Sequence, residues 1–382
     1  MPRGVKIRLR EKLKIAFVTP YFPPTIGGIE TYIYELVKRL SDNGMSVYVF
    51  ASGNGSAEII DGIKVFRLKA IDVNHLPLSP KIPYPISPYL MFKLKKIDLD
   101  IIHAHGHAFI TSFEAALASQ LIHKPFILTV HDIGIAYLDH LIIRGVRPII
   151  DSTLVNYVFR HTDAVIAQNE TTHTYALKFK PKRIVTIPQG VDFEKFKADG
   201  EEGEYVTFIA ARLVPQKGGE TFIRAVPLVL KEIAGVKFMV IGDGYQRGFL
   251  KKLAEDLGVE DCIDFVGSIP HRVVPKYLSQ AKMVVFPSKI PTGLTLLEAA
   301  AMKKPIITTR NGWAEDALGE TPLFLSTCSP EETAEAIIRL LKNPDERMNI
   351  GELVHSKVSS ERSWDAIVSK HRELYDQIIN GK

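Results

Sequence analysis

The chain is poor in cysteine and tryptophan, has no long apolar run, and carries no strong charge of one sign. Cys262 and Cys328 are its only cysteines among 382 residues. Two thiols make neither a disulfide framework nor a metal-ligand spacing, so a reducing, cytoplasmic setting is expected. No stretch supplies the ~20 consecutive apolar residues that a membrane span requires. Ile15, Ala16, Phe17 and Val18 run at once into Pro20, Pro23 and Pro24, which does not read as a signal peptide. A net charge of +5 over this length lacks the basic field of a nucleic-acid binder. The first fourteen residues are an exception, with Arg3, Lys6, Arg8, Arg10, Lys12 and Lys14 against Glu11. They read either as an arm for anionic lipid headgroups, peripheral at a membrane, or as a solvated tail. Phosphate-loop signatures are missing too: there is no G-x-x-x-x-G-K-[ST] and no G-x-G-x-x-G after the first strand.

What is present is an alternation of strands and helices. The composition, 46% hydrophobic and 24% charged, is that of a globular chain, and the length suits two domains of similar size. Residues 14–20 form a short β-branched and aromatic run that ends at proline, which predicts a buried strand. A loop with Gly27 and Gly28 follows. Then Ile33, Leu36, Val37 and Leu40 fall on one helical face, and Asn43 and Gly44 stop that helix. With a strand at 47–51 this makes one βαβ unit. Strands at 101–105, 126–130, 164–167 and 184–187 continue the series. Residues 196–203 are polar, acidic and glycine-containing, so the hinge is placed there. A second series has strands at 205–211, 236–241, 263–266, 283–286, 305–308 and 323–325. The expected fold is α/β: two Rossmann-like doubly wound domains, 1–195 and 196–360, facing across a cleft. A last helix within 361–382 is expected to cross back onto the first domain.

Several residues at predicted strand ends could do chemistry. Arg212 ends a strand, and Lys217 precedes Gly218, Gly219 and a helix. Helix starts bind anions through free N–H groups; Arg adds a planar fork and Lys a point charge. Cations alone are disfavoured at a helix start, so an anion such as a diphosphate explains the pair. Glu298 sits between Leu294-Thr295-Leu296-Leu297 and Ala299-Ala300-Ala301-Met302. There it is either a buried carboxylate needing a partner such as a ribose diol, or an exposed position on an amphipathic helix. Gly27 and Gly28 allow a close backbone approach to a ligand, or a tight turn. Glu30 reads as a first-turn carboxylate favoured by the helix dipole. His131 is either a contact for a sugar hydroxyl or a satisfied strand-end histidine. His103, His105 and His107 alternate and are expected on one strand face, without the acidic ligand a metal site would add. Gly242-Asp243-Gly244 is a turn that could face the site.

Taken together these segments resemble the retaining nucleotide-sugar glycosyltransferases of the GT-B fold, in family 4. The resemblance rests on residues 23–30, Thr129-Val130-His131-Asp132, Ile187-Pro188-Gln189-Gly190-Val191-Asp192 with Phe196, the Arg212 and Lys217 segment, Gly242-Asp243-Gly244, Phe265-Val266-Gly267, Pro287-Ser288 and Leu297-Glu298-Ala299. It implies a nucleotide-sugar donor, UDP- or GDP-linked, with no cofactor and no metal. By the same resemblance Arg212 and Lys217 hold the diphosphate, with the backbone N–H groups of Gly293, Leu294 and Thr295. Glu298 holds the ribose, Ile269 meets the base, Gly27 and Gly28 approach the donor, and His131 meets the transferred sugar. Gln189 replaces the family's usual asparagine. A larger departure is Ile290, where the family carries the first of two glutamates; isoleucine accepts no hydrogen bond. A non-catalytic nucleotide-sugar-binding relative or partner subunit is therefore the alternative, and an epimerase a third reading. The acceptor is a carbohydrate or is lipid-linked, with the proline-rich segment 76–91 as its receiving loop or as a lid. Oligomeric state is left open.

Overall fold

The alternating runs resolve into two sheets in the computed structural model, which describes residues 12–25, 27–70, 86–131, 151–197, 203–290 and 293–381. The basic stretch before Lys12, most of segment 76–91, Asp132 and the centre of the expected hinge lie outside the described residues. The first sheet has eight strands: β1 (Lys14–Val18), β2 (Ser46–Gly53), β3 (Ala57–Ile60), β4 (Ile63–Lys69), β5 (Ile101–His105), β6 (Phe126–Val130), β7 (Ala164–Ala167) and β8 (Ile184–Thr186). Their order is β3-β4-β2-β1-β5-β6-β7-β8. All neighbours are parallel except β3 and β4. That pair is a hairpin the periodicity did not predict. Asp61 and Gly62 close it with φ of 47° and 81°, the doubly positive turn whose twist matches a hairpin.

The second sheet comprises β9 (Tyr205–Arg212), β10 (Lys237–Asp243), β11 (Ile263–Gly267), β12 (Ala281–Phe286), β13 (Ile306–Thr309) and β14 (Leu323–Leu325), in the order β11-β10-β9-β12-β13-β14. It is parallel throughout. The central strands are buried on both faces, as parallel strands under helices must be: Ile15, Ala16 and Phe17 are wholly inaccessible, as are Met283, Val284 and Val285.

The helix Trp364–Ile379 packs against the helix Gly28–Asp42. Trp364 stacks on Tyr32 at 5.6 Å between ring centroids, and the Arg39 guanidinium lies 4.8 Å from the Trp364 ring. Further along, the Tyr375 hydroxyl is 2.8 Å from His103 Nδ1. The chain thus ends on the first sheet's side after building the second.

Strand order decides where a ligand can sit. From β9 the chain proceeds outward through β10 and β11, then returns to the other side with β12. In an open parallel sheet, such a reversal leaves a crevice at the strand C-terminal ends. The loops after β9 and β12 flank it. In the first sheet β1 stands between β2 and β5, and the loop after β1 leads to Gly27 and Gly28.

Candidate active site between the two sheets

A cleft, partly open to solvent, joins the two halves at these loops. Gly27, Gly28 and Thr31 line it from the first half. From the second come Ala210 and Ala211 at the end of β9, Gly242 after β10, and Ser268, Ile269 and His271 after β11. Leu294, Thr295 and Glu298 complete the wall. Gly28, Ile269, Leu294, Thr295 and Glu298, which are far apart in sequence, therefore share one space.

The wall has an edge built from backbone at a helix start. The helix Leu294–Ala301 begins after Gly293, whose φ of 69° and ψ of −144° suit glycine alone. Its first-turn N–H groups have no partner within the helix, and Leu294 and Thr295 carry two of them on the cleft. Across from it, Gly27 precedes the helix Gly28–Asp42. A β-carbon on Gly27 would meet the Glu30 carboxylate, so Glu30 folds back over its own helix start. Burial pushes the Glu30 carboxyl up, while its own backbone N–H and the charge of Arg212 pull it down.

Arg212 is exposed and immediately follows Ala211 on the cleft wall. Lys217 closes a single 3₁₀ turn, Pro215–Lys217. That turn is fixed to the loop after β12. Lys289 N–H donates to Gln216 O at 2.9 Å, and Ser288 Oγ lies 3.2 Å from the same oxygen. Gly218, with φ of 82°, lies so close to Pro287 that a β-carbon would stand 1.9 Å from the Pro287 oxygen. Gly242 makes an equally close approach: a β-carbon there would be 1.8 Å from Ala210 O. The glycines bring the β9, β10 and β12 loops into contact.

Glu298 is buried at 4% exposure, and its partner is a residue the sequence did not single out. His271 Nε2 lies 2.5 Å from Glu298 Oε1. His271 Nδ1 is in turn 2.8 Å from Lys195 Nζ, and Lys195 Nζ is 3.8 Å from Glu35 Oε1 in the first half. His271 sits just past β11, where the strand-end rule directs attention, but nothing in its local pattern distinguishes it.

His131 is hydrogen-bonded in the manner of the satisfied strand-end alternative. Both its ring nitrogens are engaged inside the first half: Nδ1 with Gln168 Oε1 at 2.9 Å and Nε2 with His105 Nδ1 at 3.0 Å. Gln189 Nε2 donates to the same Gln168 oxygen at 2.9 Å. The imidazole is held in a buried network. His103 and His105 lie side by side, 4.4 Å between ring centroids, but His107 does not join them. The strand ends at His105, Gly106 turns the chain with φ of 86°, and His107 packs against Tyr175 at 4.9 Å. Burial holds His131 and His371 down to about 4 and pushes His103 and His105 well below the usual histidine range. Burial thus favours the uncharged form of these rings. Among the described residues no group of His, Cys, Asp or Glu could hold a metal, and no helix is long and apolar enough to cross a membrane.

Ile290 is buried at 9% exposure. Its carbonyl accepts Ser288 Oγ at 2.6 Å, which sets the turn after β12 without any carboxylate.

Two facing doubly wound sheets with a cleft at their strand ends define the GT-B architecture of nucleotide-dependent glycosyltransferases. Known proteins agree. Residues 191–355 match the model of glycosyl transferases group 1, and residues 26–195 that of glycosyltransferase family 4. An uncharacterised glycosyltransferase of Methanocaldococcus jannaschii is 25% identical, covering 97% of this chain and 100% of the relative. A GDP-mannose-dependent alpha-(1-6)-phosphatidylinositol monomannoside mannosyltransferase of Mycobacterium tuberculosis is also 25% identical, over 94% and 96%. The crystal structure of Anabaena HepE in complex with UDP superposes with a TM-score of 0.76 at 18% identity, over 96% and 100%. The chain belongs to the group 1, family 4 glycosyltransferases.

Proposed function

We propose that the chain transfers a sugar from a UDP- or GDP-linked donor to an acceptor hydroxyl, with retention at the anomeric carbon and without a metal. The observation that carries this reading is the cleft itself. It joins Glu298, Ile269 and the start of the helix Leu294–Ala301 to Gly27 and Gly28 of the opposite half. That set matches a nucleotide sugar in pieces. Glu298 takes the ribose, the Ile269 backbone the base, and the N–H groups of Gly293, Leu294 and Thr295 the diphosphate, with Arg212 and Lys217. These cations and the helix start stabilise the leaving diphosphate, the task a metal performs elsewhere.

The acceptor oxygen bonds to the anomeric carbon as the bond to the diphosphate breaks. The leaving phosphate oxygen takes the acceptor's proton on the same face, so no protein nucleophile is needed. A GDP-mannose-dependent relative and a UDP-bound structural neighbour support the two candidate bases, and the phosphatidylinositol monomannoside in that relative's name supports a lipid-linked acceptor. A panel of UDP-, GDP- and ADP-sugars, assayed with and without EDTA for transfer and donor hydrolysis, tests the reading. Absence of both activities with every donor rejects it.

The buried Ile290, standing where the family has a glutamate, favours a second reading: a non-catalytic nucleotide-sugar-binding subunit. It predicts donor binding without turnover, and turnover gained on Ile290→Glu substitution.

A further inference from the structure

We propose that His271, held by Lys195, orients the Glu298 carboxylate for the donor ribose and makes that grip a joint property of both halves of the chain. The inference rests on the reading of Glu298 as the ribose partner given above.

The protonation of the link follows from what each group can do. An ammonium only donates. Lys195 Nζ, 2.8 Å from His271 Nδ1, therefore requires a lone pair on Nδ1. The ring proton is then on Nε2 and points at Glu298 Oε1, 2.5 Å away. Lys195 selects the tautomer, and the tautomer fixes the carboxylate. With Oε1 engaged, Oε2 faces the diol in a single orientation. A carboxylate on a buried helix would otherwise rotate about its last torsion, which is broad.

Lys195 is itself fixed by the first half. Its backbone N–H donates to Asp192 Oδ1 at 3.0 Å. Asp192 Oδ2 accepts Arg39 Nη2 at 2.6 Å, and Arg39 also binds Glu35, the residue next to Lys195 Nζ. Glu35 and Arg39 stand on the helix whose start, Gly28, lines the cleft. The ribose end of the donor site is thereby tied to the element that meets its other end.

Titration calorimetry of the full chain tests this, using UDP, GDP and ADP beside their 2′,3′-dideoxy counterparts. Loss of one hydrogen bond to a charged group is worth roughly ten- to a hundred-fold in affinity. His271→Ala is expected to weaken the ribonucleotide by about tenfold or more on that scale and to leave the dideoxy form little changed. His271→Gln, which carries an acceptor and a donor for the same two partners, restores affinity. Lys195→Met costs less than His271→Ala and adds nothing in the double variant. Unchanged ribonucleotide affinity in His271→Ala, with Glu298→Gln still weakened, overturns the inference alone. Should wild type show no preference for the ribose diol, or bind none of the nucleotides, the underlying donor-site reading falls and takes the inference with it. Were His271→Ala to unfold, the Lys195→Met and His271→Gln pair decides the matter.

Discussion

His105 and His131 share one hydrogen bond, 3.0 Å between Nδ1 of the first and Nε2 of the second, at the ends of adjacent strands. Gln168 Oε1 can only accept, so His131 carries its proton on Nδ1 and receives one from His105 on Nε2. Protonating His131 on Nε2 would set its N–H against the His105 Nδ1–H and break this order.

The first prediction concerns acid. His131 and His371 are held down to about 4 by burial, against ~6.5 in an unfolded chain. Below 6.5 the unfolded state binds protons that the folded state refuses. Stability is therefore full above that pH and lost progressively as pH falls toward 4, by about 1.4 kcal/mol per pH unit for each ring. Thermal melts from pH 8 to 4.5 should show the midpoint falling through this window. A flat profile contradicts the neutral cluster.

Gly218→Ala is expected to damage both stability and the site. Its φ of 82° disfavours a side chain, and the new carbon would meet the Pro287 carbonyl. Backbone strain of this kind costs about 1–3 kcal/mol before the clash is counted. Denaturant unfolding should show the loss, with nucleotide affinity falling in the fraction that remains folded. Wild-type behaviour would mean that the β9 and β12 loops do not touch.

Trp364→Ala removes the ring that Tyr32 stacks on and Arg39 covers. Truncation of a buried tryptophan costs about 3–5 kcal/mol. Proteolysis should then cut first near the helix Trp364–Ile379, since that contact anchors it to the first half. Equal resistance in mutant and wild type would place the anchor elsewhere.

Arg212→Ala should lower sugar transfer by roughly 10²- to 10³-fold, as loss of one donor to a developing charge does elsewhere. Arg212→Lys should recover only part of this, because an ammonium cannot present the guanidinium fork. Steady-state kinetics on the donor found in the panel supplies the measurement. Full activity in Arg212→Ala removes that residue from the anion site.

Much of the fold was legible because its signals are local. The runs at Ile101–His105, Phe126–Val130 and Ala164–Ala167 are short, apolar and bounded by polar residues, and each is a strand over the expected span. The β3–β4 hairpin escaped because Ala57–Ile60 is largely exposed and gives no apolar run; its signal was the Asp61-Gly62 turn. Glu298 was legible as a carboxylate in an apolar helix, with burial left open, and the structure buries it. His271 was not, because its meaning lies in a contact with a residue 27 positions away.

The sequence alone determined the alternation of strands and helices, the strand-end location of the candidate residues, and membership in a family whose motifs recur at fixed spacings. These follow from periodicity and backbone chemistry, which act over a few residues at a time. Tertiary structure alone decided which side chains meet. It turned His131 inward to His105 and Gln168, gave Glu298 to His271, and linked that pair through Lys195 to the opposite half. Such pairings depend on how two sheets pack, and a hydrogen bond that requires ångström distances cannot be read from positions along a chain.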